Sequence, residues 1–110
     1  MAKDKGTKPS PLSREKLKEL LLDALNNAPD LHHMETFHAR FDHLERGLQE
    51  DDVIHGIERE WDSFRVVRFN EDEWQWNYEI GTESVDGRPL TILVAVDTRS
   101  KLFEVITRWS

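Results

Sequence analysis

Near Phe64 the hydrophobic period of this chain changes from helical to alternating, and that switch constrains the fold more than any other feature. Before it, apolar residues recur at steps of three and four, the repeat of one face of an α-helix. After it they alternate with polar residues, as on a half-buried strand. A chain with helices first and strands second can bury both apolar faces by laying its helices on one side of an antiparallel sheet, an α+β domain. Its 110 residues leave room for one such domain.

Residues 1–10 carry almost nothing to bury and are expected to form a disordered lead-in, which leaves 11–110 as the domain. Ser10-Pro11 and Ser13 offer cap and first-turn chemistry for an additional N-terminal helix at about 11–27, with Leu17, Leu20, Leu21, Ala24 and Leu25 on one face. Asn26, Asn27 and Pro29 end it. A second helix is predicted over 31–46, with Met34, Phe37, Phe41 and Leu44 as its inner stripe and Gly47 as the residue after its last turn, where φ is usually positive. Glu50, Asp51 and Asp52 then supply negative charge to the start of a third helix with Val53, Ile54 and Ile57 on its apolar face, fading near Glu60.

The first strand alternates Phe64, Val66 and Arg68 against Arg65, Val67 and Phe69, and a turn over 70–73 leads to a second with Trp74, Trp76, Tyr78 and Ile80 on one face. Its other face, Gln75, Asn77 and Glu79, is polar and expected to be wet. Asp86-Gly87 is a strong hairpin signal, and the following Leu90, Ile92, Leu93, Val94, Ala95 and Val96 are apolar on both faces, as a central strand requires. A turn over 98–101 leads to a last, β-branched and aromatic strand over 102–109. The expectation is three helices and a four-stranded antiparallel meander.

A net charge of -7 disfavours nonspecific contact with nucleic acid or anionic lipid, so any nucleic-acid role needs a local basic patch. With no cysteine there is no disulfide framework, thiolate nucleophile or zinc–cysteine site. Lys3 and Lys5 have no apolar segment behind them, and no apolar run is long enough to span a bilayer. The expected setting is cytoplasmic, without membrane contact, and no cofactor is expected.

His38-Ala39, Arg46-Gly47-Leu48 and Asp52-Val53 are followed by Gly87-Arg88-Pro89-Leu90 ahead of a long apolar strand, and by Val105-Ile106-Thr107 near the end. On these motifs residues 38–109 resemble a bacterial domain family of unassigned function that is grouped with the RelE, BrnT and MqsR toxins, small ribonucleases of toxin–antitoxin pairs. The resemblance implies a RelE-like fold and a toxin-type protein, a metal-independent endoribonuclease with RNA as substrate and a cognate protein partner, an antitoxin or target. The family usually has an arginine four residues after the His-Ala histidine; here that place is Asp42, and Arg40 is the nearest replacement.

Such a nuclease must align a ribose hydroxyl with its phosphate, move protons and stabilise a pentavalent transition state. The candidates are His38 as acid or base, Tyr78 as a hydroxyl, and Arg40, Arg46, Arg88 and Arg108 as phosphate ligands. Four of these also have a structural explanation: Tyr78 in an aromatic stripe, Arg46 at a helix C-terminus, Arg88 in a turn, Arg108 as an edge-strand charge. On a helix His38, Asp42 and Glu45 would share one face, either as a metal or acid–base cluster or as a solvated stripe; the stripe is the favoured reading, and no metal is expected. His32, His33 and His43 add imidazoles without the four-residue spacing of a helical metal pair.

A different class of function comes from the tryptophans. Trp74, Trp76 and Trp109 offer faces for base stacking, but Trp74 follows Glu71, Asp72 and Glu73, and Trp61 sits between Glu58, Glu60 and Asp62, charges that repel phosphate. Acidic residues beside aromatics suit a basic protein partner, with Glu71, Asp72, Glu73, Trp74 and Trp76 as the contact surface of a non-catalytic binding module, an inhibitor or accessory protein. The amphipathic helix over 13–25 suits either packing on this domain or a homodimer.

Overall fold

A computed structural model of the chain describes residues 9–26, 38–97 and 102–110, with 38–43 placed as backbone. The elements are α1 (Arg14–Asn26), β1 (His38–His43), α2 (Glu50–Glu58), β2 (Ser63–Asn70), β3 (Gln75–Glu83), β4 (Pro89–Asp97) and β5 (Leu102–Trp109). They build a five-stranded sheet in the order β1-β5-β4-β3-β2. The last four strands form the expected antiparallel meander with β4 central, and the helices make this an α+β fold. Among the described residues no helix is long and apolar enough to cross a membrane.

The helix predicted over 31–46 is corrected by β1, which pairs parallel with β5 from His38↔Leu102 to His43↔Ile106. Residues 31–37, with His32, His33, Met34 and Phe37, lie outside the described residues, as do 1–8 of the expected lead-in, Asn27, Pro29 and the turn over 98–101. Phe37, Phe41 and Leu44 have helical spacing, but Ala39 and Phe41 also alternate with His38, Arg40 and Asp42. Pairing wins because β5 would otherwise present a row of unbonded backbone groups. Gly47 does have the expected positive φ, +87°, but in a turn after a strand.

α1 starts where expected, since Ser13 Oγ accepts the Lys16 N–H at 3.1 Å and Ser13 O accepts that of Leu17 at 2.9 Å. Leu17, Leu21 and Ala24 are buried, so its apolar face packs on this domain. α2 starts at Gln49, whose N–H donates to Asp52 Oδ2 at 3.1 Å; Asp52 Oδ1 takes the Val85 N–H at 3.2 Å and ties the helix to the β3–β4 turn. Val53 and Ile57 enter the core. Gly56 lies so close to the sheet that a Cβ there would meet the Thr82 methyl at 2.8 Å and Glu83 O at 3.1 Å.

The core lies between these helices and one face of the sheet, where Tyr78, Ile80, Leu90, Ile92, Val94, Val96, Phe103 and Val105 are buried. Trp61 closes one side, its indole N–H donating to Ile57 O at 3.0 Å and its ring stacked in line with Phe64 and Tyr78 at centroid separations of 5.9 and 5.8 Å. Arg14 and Lys18 reach over that ring while donating to Trp61 O and Arg59 O, both at 2.8 Å. Their cations replace the wet edge of an otherwise buried indole.

Candidate functional site

Alternation along β3 and β5 sorts the candidate residues onto two faces of the sheet. Tyr78 falls on the helix-covered face and is 1% exposed. Its hydroxyl accepts the Leu12 N–H at 2.8 Å. Burial raises its pKa above the ordinary 10.0, and the Leu12 bond pulls it partly back. The hydroxyl thus anchors the segment ahead of α1.

Among the described residues the other face has no helix over it. Cross-strand partners share a face, and the row through the middle runs Glu104, Ala95, Asn77 and Arg68 across β5 to β2; in the backbone register Arg40 of β1 is the partner of Glu104. His38 is two residues before Arg40 and pairs with Leu102. A bulge between Val66 and Arg68 sets Val67 beside this row, 39% exposed, and Ile106 is 41% exposed. Both line an open depression of about 250 Å3 with Asn77, Leu93, Ala95 and Glu104. Gln75, expected to be wet, is buried and donates to Glu104 Oε1 at 3.3 Å. Glu79 is shared by Arg65 at 3.2 Å and Arg108 at 3.8 Å. Arg65, Glu79 and Glu104 are not among the candidates named from sequence, although their alternation with Phe64, Tyr78 and Val105 marks them as one-face polar residues; Arg68, which alternation groups with Phe64 and Val66, is carried to the opposite face by the bulge between Val66 and Arg68.

The remaining arginines gather elsewhere. Arg88 stacks on the Trp109 ring, 3.9 Å from its centroid, and the Trp109 indole N–H donates to Arg46 O at 3.0 Å. Gly47 sits against the same ring, where a Cβ would be 3.8 Å from Nε1. Glu45 Oε2 accepts the Trp109 backbone N–H at 3.2 Å. Arg46 is thus placed in the turn after β1, where it is exposed. Because Arg108 and Trp109 are neighbours on one strand, they project to opposite faces, and Arg88 and Arg108 serve different partners. The structure does not bring Arg88, Arg108 and Tyr78 around one phosphate. Nor do any three His, Asp or Glu side chains converge as a metal site among the described residues.

At the opposite end of the sheet, the β2–β3 turn holds the acidic and aromatic candidates together. Asn70 Oδ1 accepts the N–H groups of Asp72 and Glu73 at 3.0 and 3.1 Å, which shapes the turn, and Glu71, Asp72 and Glu73 are exposed at its tip. Trp74 closes it with φ of +55°, a left-handed conformation that disfavours side chains. Phe69 meets Trp74 and Trp76 edge-on at 4.9 and 5.1 Å. The Trp76 indole N–H donates to Pro9 O at 2.7 Å.

Comparisons with protein-family models, with curated proteins and with solved structures find no match to this chain.

Proposed function

We propose that this chain is a non-catalytic binding module that meets a basic protein partner through the β2–β3 turn. The observation that carries this reading is Trp74: a non-glycine residue in the left-handed region costs about 1–2 kcal/mol, and a glycine would close the turn without that strain. The edge-on contact with Phe69 offsets about 0.5–1.5 kcal/mol of it. The position therefore favours the indole for what it touches, beside three exposed carboxylates. Aromatic anchors next to a charged rim are the usual makeup of a protein-binding surface. The test is titration of a purified basic partner, captured on the immobilised chain. Binding is expected to weaken with rising salt and with Trp74→Ala, and a partner insensitive to both would defeat the reading.

A second reading, a toxin-type endoribonuclease, draws on the register of β1. That register pairs Arg40 with Glu104 and His38 with Leu102, and from Glu104 the pairing continues through Ala95 and Asn77 to Arg68. Cleavage of RNA by the purified chain, with toxicity on bacterial expression that His38→Ala abolishes, would support it. Intact RNA with both proteins would remove it.

A further inference from the structure

The face of β3 that carries Trp76 and Tyr78 is covered at its outer end by the chain's own residues 9–12, which have no regular secondary structure. Two hydrogen bonds seat this segment. The Trp76 indole N–H donates to Pro9 O at 2.7 Å, at the surface, and the Leu12 N–H donates to Tyr78 Oη at 2.8 Å. The segment does not fill the groove it lies in, since a cavity of about 30 Å3 remains among Ser10, Leu12, Trp74, Trp76 and Val96. Its sequence from Lys8 reads Lys-Pro-Ser-Pro-Leu, with Lys3 and Lys5 further upstream.

Groove and segment match chemically. Proline lacks a backbone N–H and has a fixed φ, so a proline-containing segment is already extended, loses little entropy on binding and is read through its rings and carbonyls. Indole faces and an indole N–H donor suit that ligand, as in the general mode in which aromatic grooves take proline-rich peptides. The acidic turn of Glu71 and Asp72 beside the groove favours lysines in whatever occupies it. The segment is pinned at one end by α1, which starts at Arg14, while Pro9, Ser10 and Pro11 are exposed.

We propose that the groove of Trp74, Trp76, Tyr78 and Val96 is a recognition site for an extended, basic, proline-containing segment of a partner protein, and that residues 9–12 occupy it in the free chain. This rests on the binding-module reading and gives its partner a chemical class. The partner's segment must displace the chain's own, so the occupant is a built-in competitor.

The test uses the full 15N-labelled chain and two peptides, one with the sequence of residues 7–12 and one with both prolines replaced by alanine. Indole N–H signals report the outcome, with Trp61 and Trp109, bonded to Ile57 O and Arg46 O, as internal references. The proline peptide is expected to move the Trp76 signal to saturation, and the alanine peptide to need roughly tenfold more, because it must first be ordered. A Pro9→Gly/Pro11→Gly chain, with a weaker competitor, is expected to saturate at about tenfold lower peptide, since a site occupied in cis binds in trans in proportion to its free fraction.

If the Trp61 signal shows that this chain does not fold, Leu12→Ala, which trims the built-in competitor and leaves the groove residues as they are, takes its place. Equal movement of the 71–73 amides with both peptides, while Trp76 stays still, overturns the proline site and leaves the basic-partner reading standing. No movement of any of these signals in either chain overturns both. Concentration-dependent dimers that exchange residues 9–12 between copies would also overturn the proposal, replacing the partner with a second copy.

Discussion

The two faces of this sheet are made by the same strands with the same alternation, yet they differ in almost every physical respect. On the covered face Tyr78, Ile92, Val94, Phe103 and Val105 are packed under α1 and α2. On the open face Val67 and Ile106 are exposed beside an Arg65–Glu79–Arg108 ion cluster. The contrast shows where function can reside. The tyrosine that sequence offered as a reactive hydroxyl is anchoring a segment in the dry layer, whereas Arg65 and Arg108 on the open face are paired with a carboxylate in the wet one. Surface open to a partner therefore lies at the ends of the sheet and on its uncovered side.

The largest test of that contrast is truncation on each side. Phe103→Ala should cost about 3–5 kcal/mol in urea unfolding, the usual price of an emptied aromatic site, while Ile106→Ala three residues away should stay within about 0.5 kcal/mol. Comparable losses would mean that the open face is covered in solution. Next is Gly56→Ala, which pushes a methyl into Thr82 and Glu83 O and should lower stability by about 1–3 kcal/mol. An unchanged thermal midpoint would show that α2 can lift from the sheet freely.

Tyr78→Phe should cost about 1 kcal/mol by leaving the Leu12 N–H without its acceptor. It also separates the faces by pH. Burial raises the Tyr78 pKa in the fold, so its contribution is complete below the ordinary value of 10.0 and is lost as pH rises through the higher folded value. Unfolding followed from pH 9 to 12 should show a decline that Tyr78→Phe flattens, with the pH window set by the ordinary tyrosine value and the direction of its shift. The smallest effect belongs to the wet side: Glu79→Gln should change stability by no more than about 0.5 kcal/mol, and less at high salt, because its partners Arg65 and Arg108 are largely solvated. A loss above 1 kcal/mol would mark that cluster as structural.

Elements with local signals were legible in the sequence. Ser13 caps α1, Asp52 sits in the first turn of α2, Gly87 takes a positive φ of +82° in the β3–β4 turn, and the doubly apolar β4 is central. β1 was not legible, because Phe37, Phe41 and Leu44 fit a helical stripe and its strand state depends on β5, some sixty residues later. The acidic turn and its tryptophans were found together, but Trp76 bonding to Pro9 was not, since nothing local links a lead-in segment to a strand so far along the chain. The Glu79 cluster likewise needed the register of four strands.

By itself the sequence determined an α+β class, the order of helices before the meander, the turns and the inward face of most strands, because period and turn chemistry act over a few residues. Only the tertiary structure decided that 38–43 join the sheet as a parallel edge and that residues 9–12 lie on Trp76 and Tyr78. Those outcomes are set by competition among distant surfaces for the same backbone groups and the same apolar area. No local pattern records which of them wins.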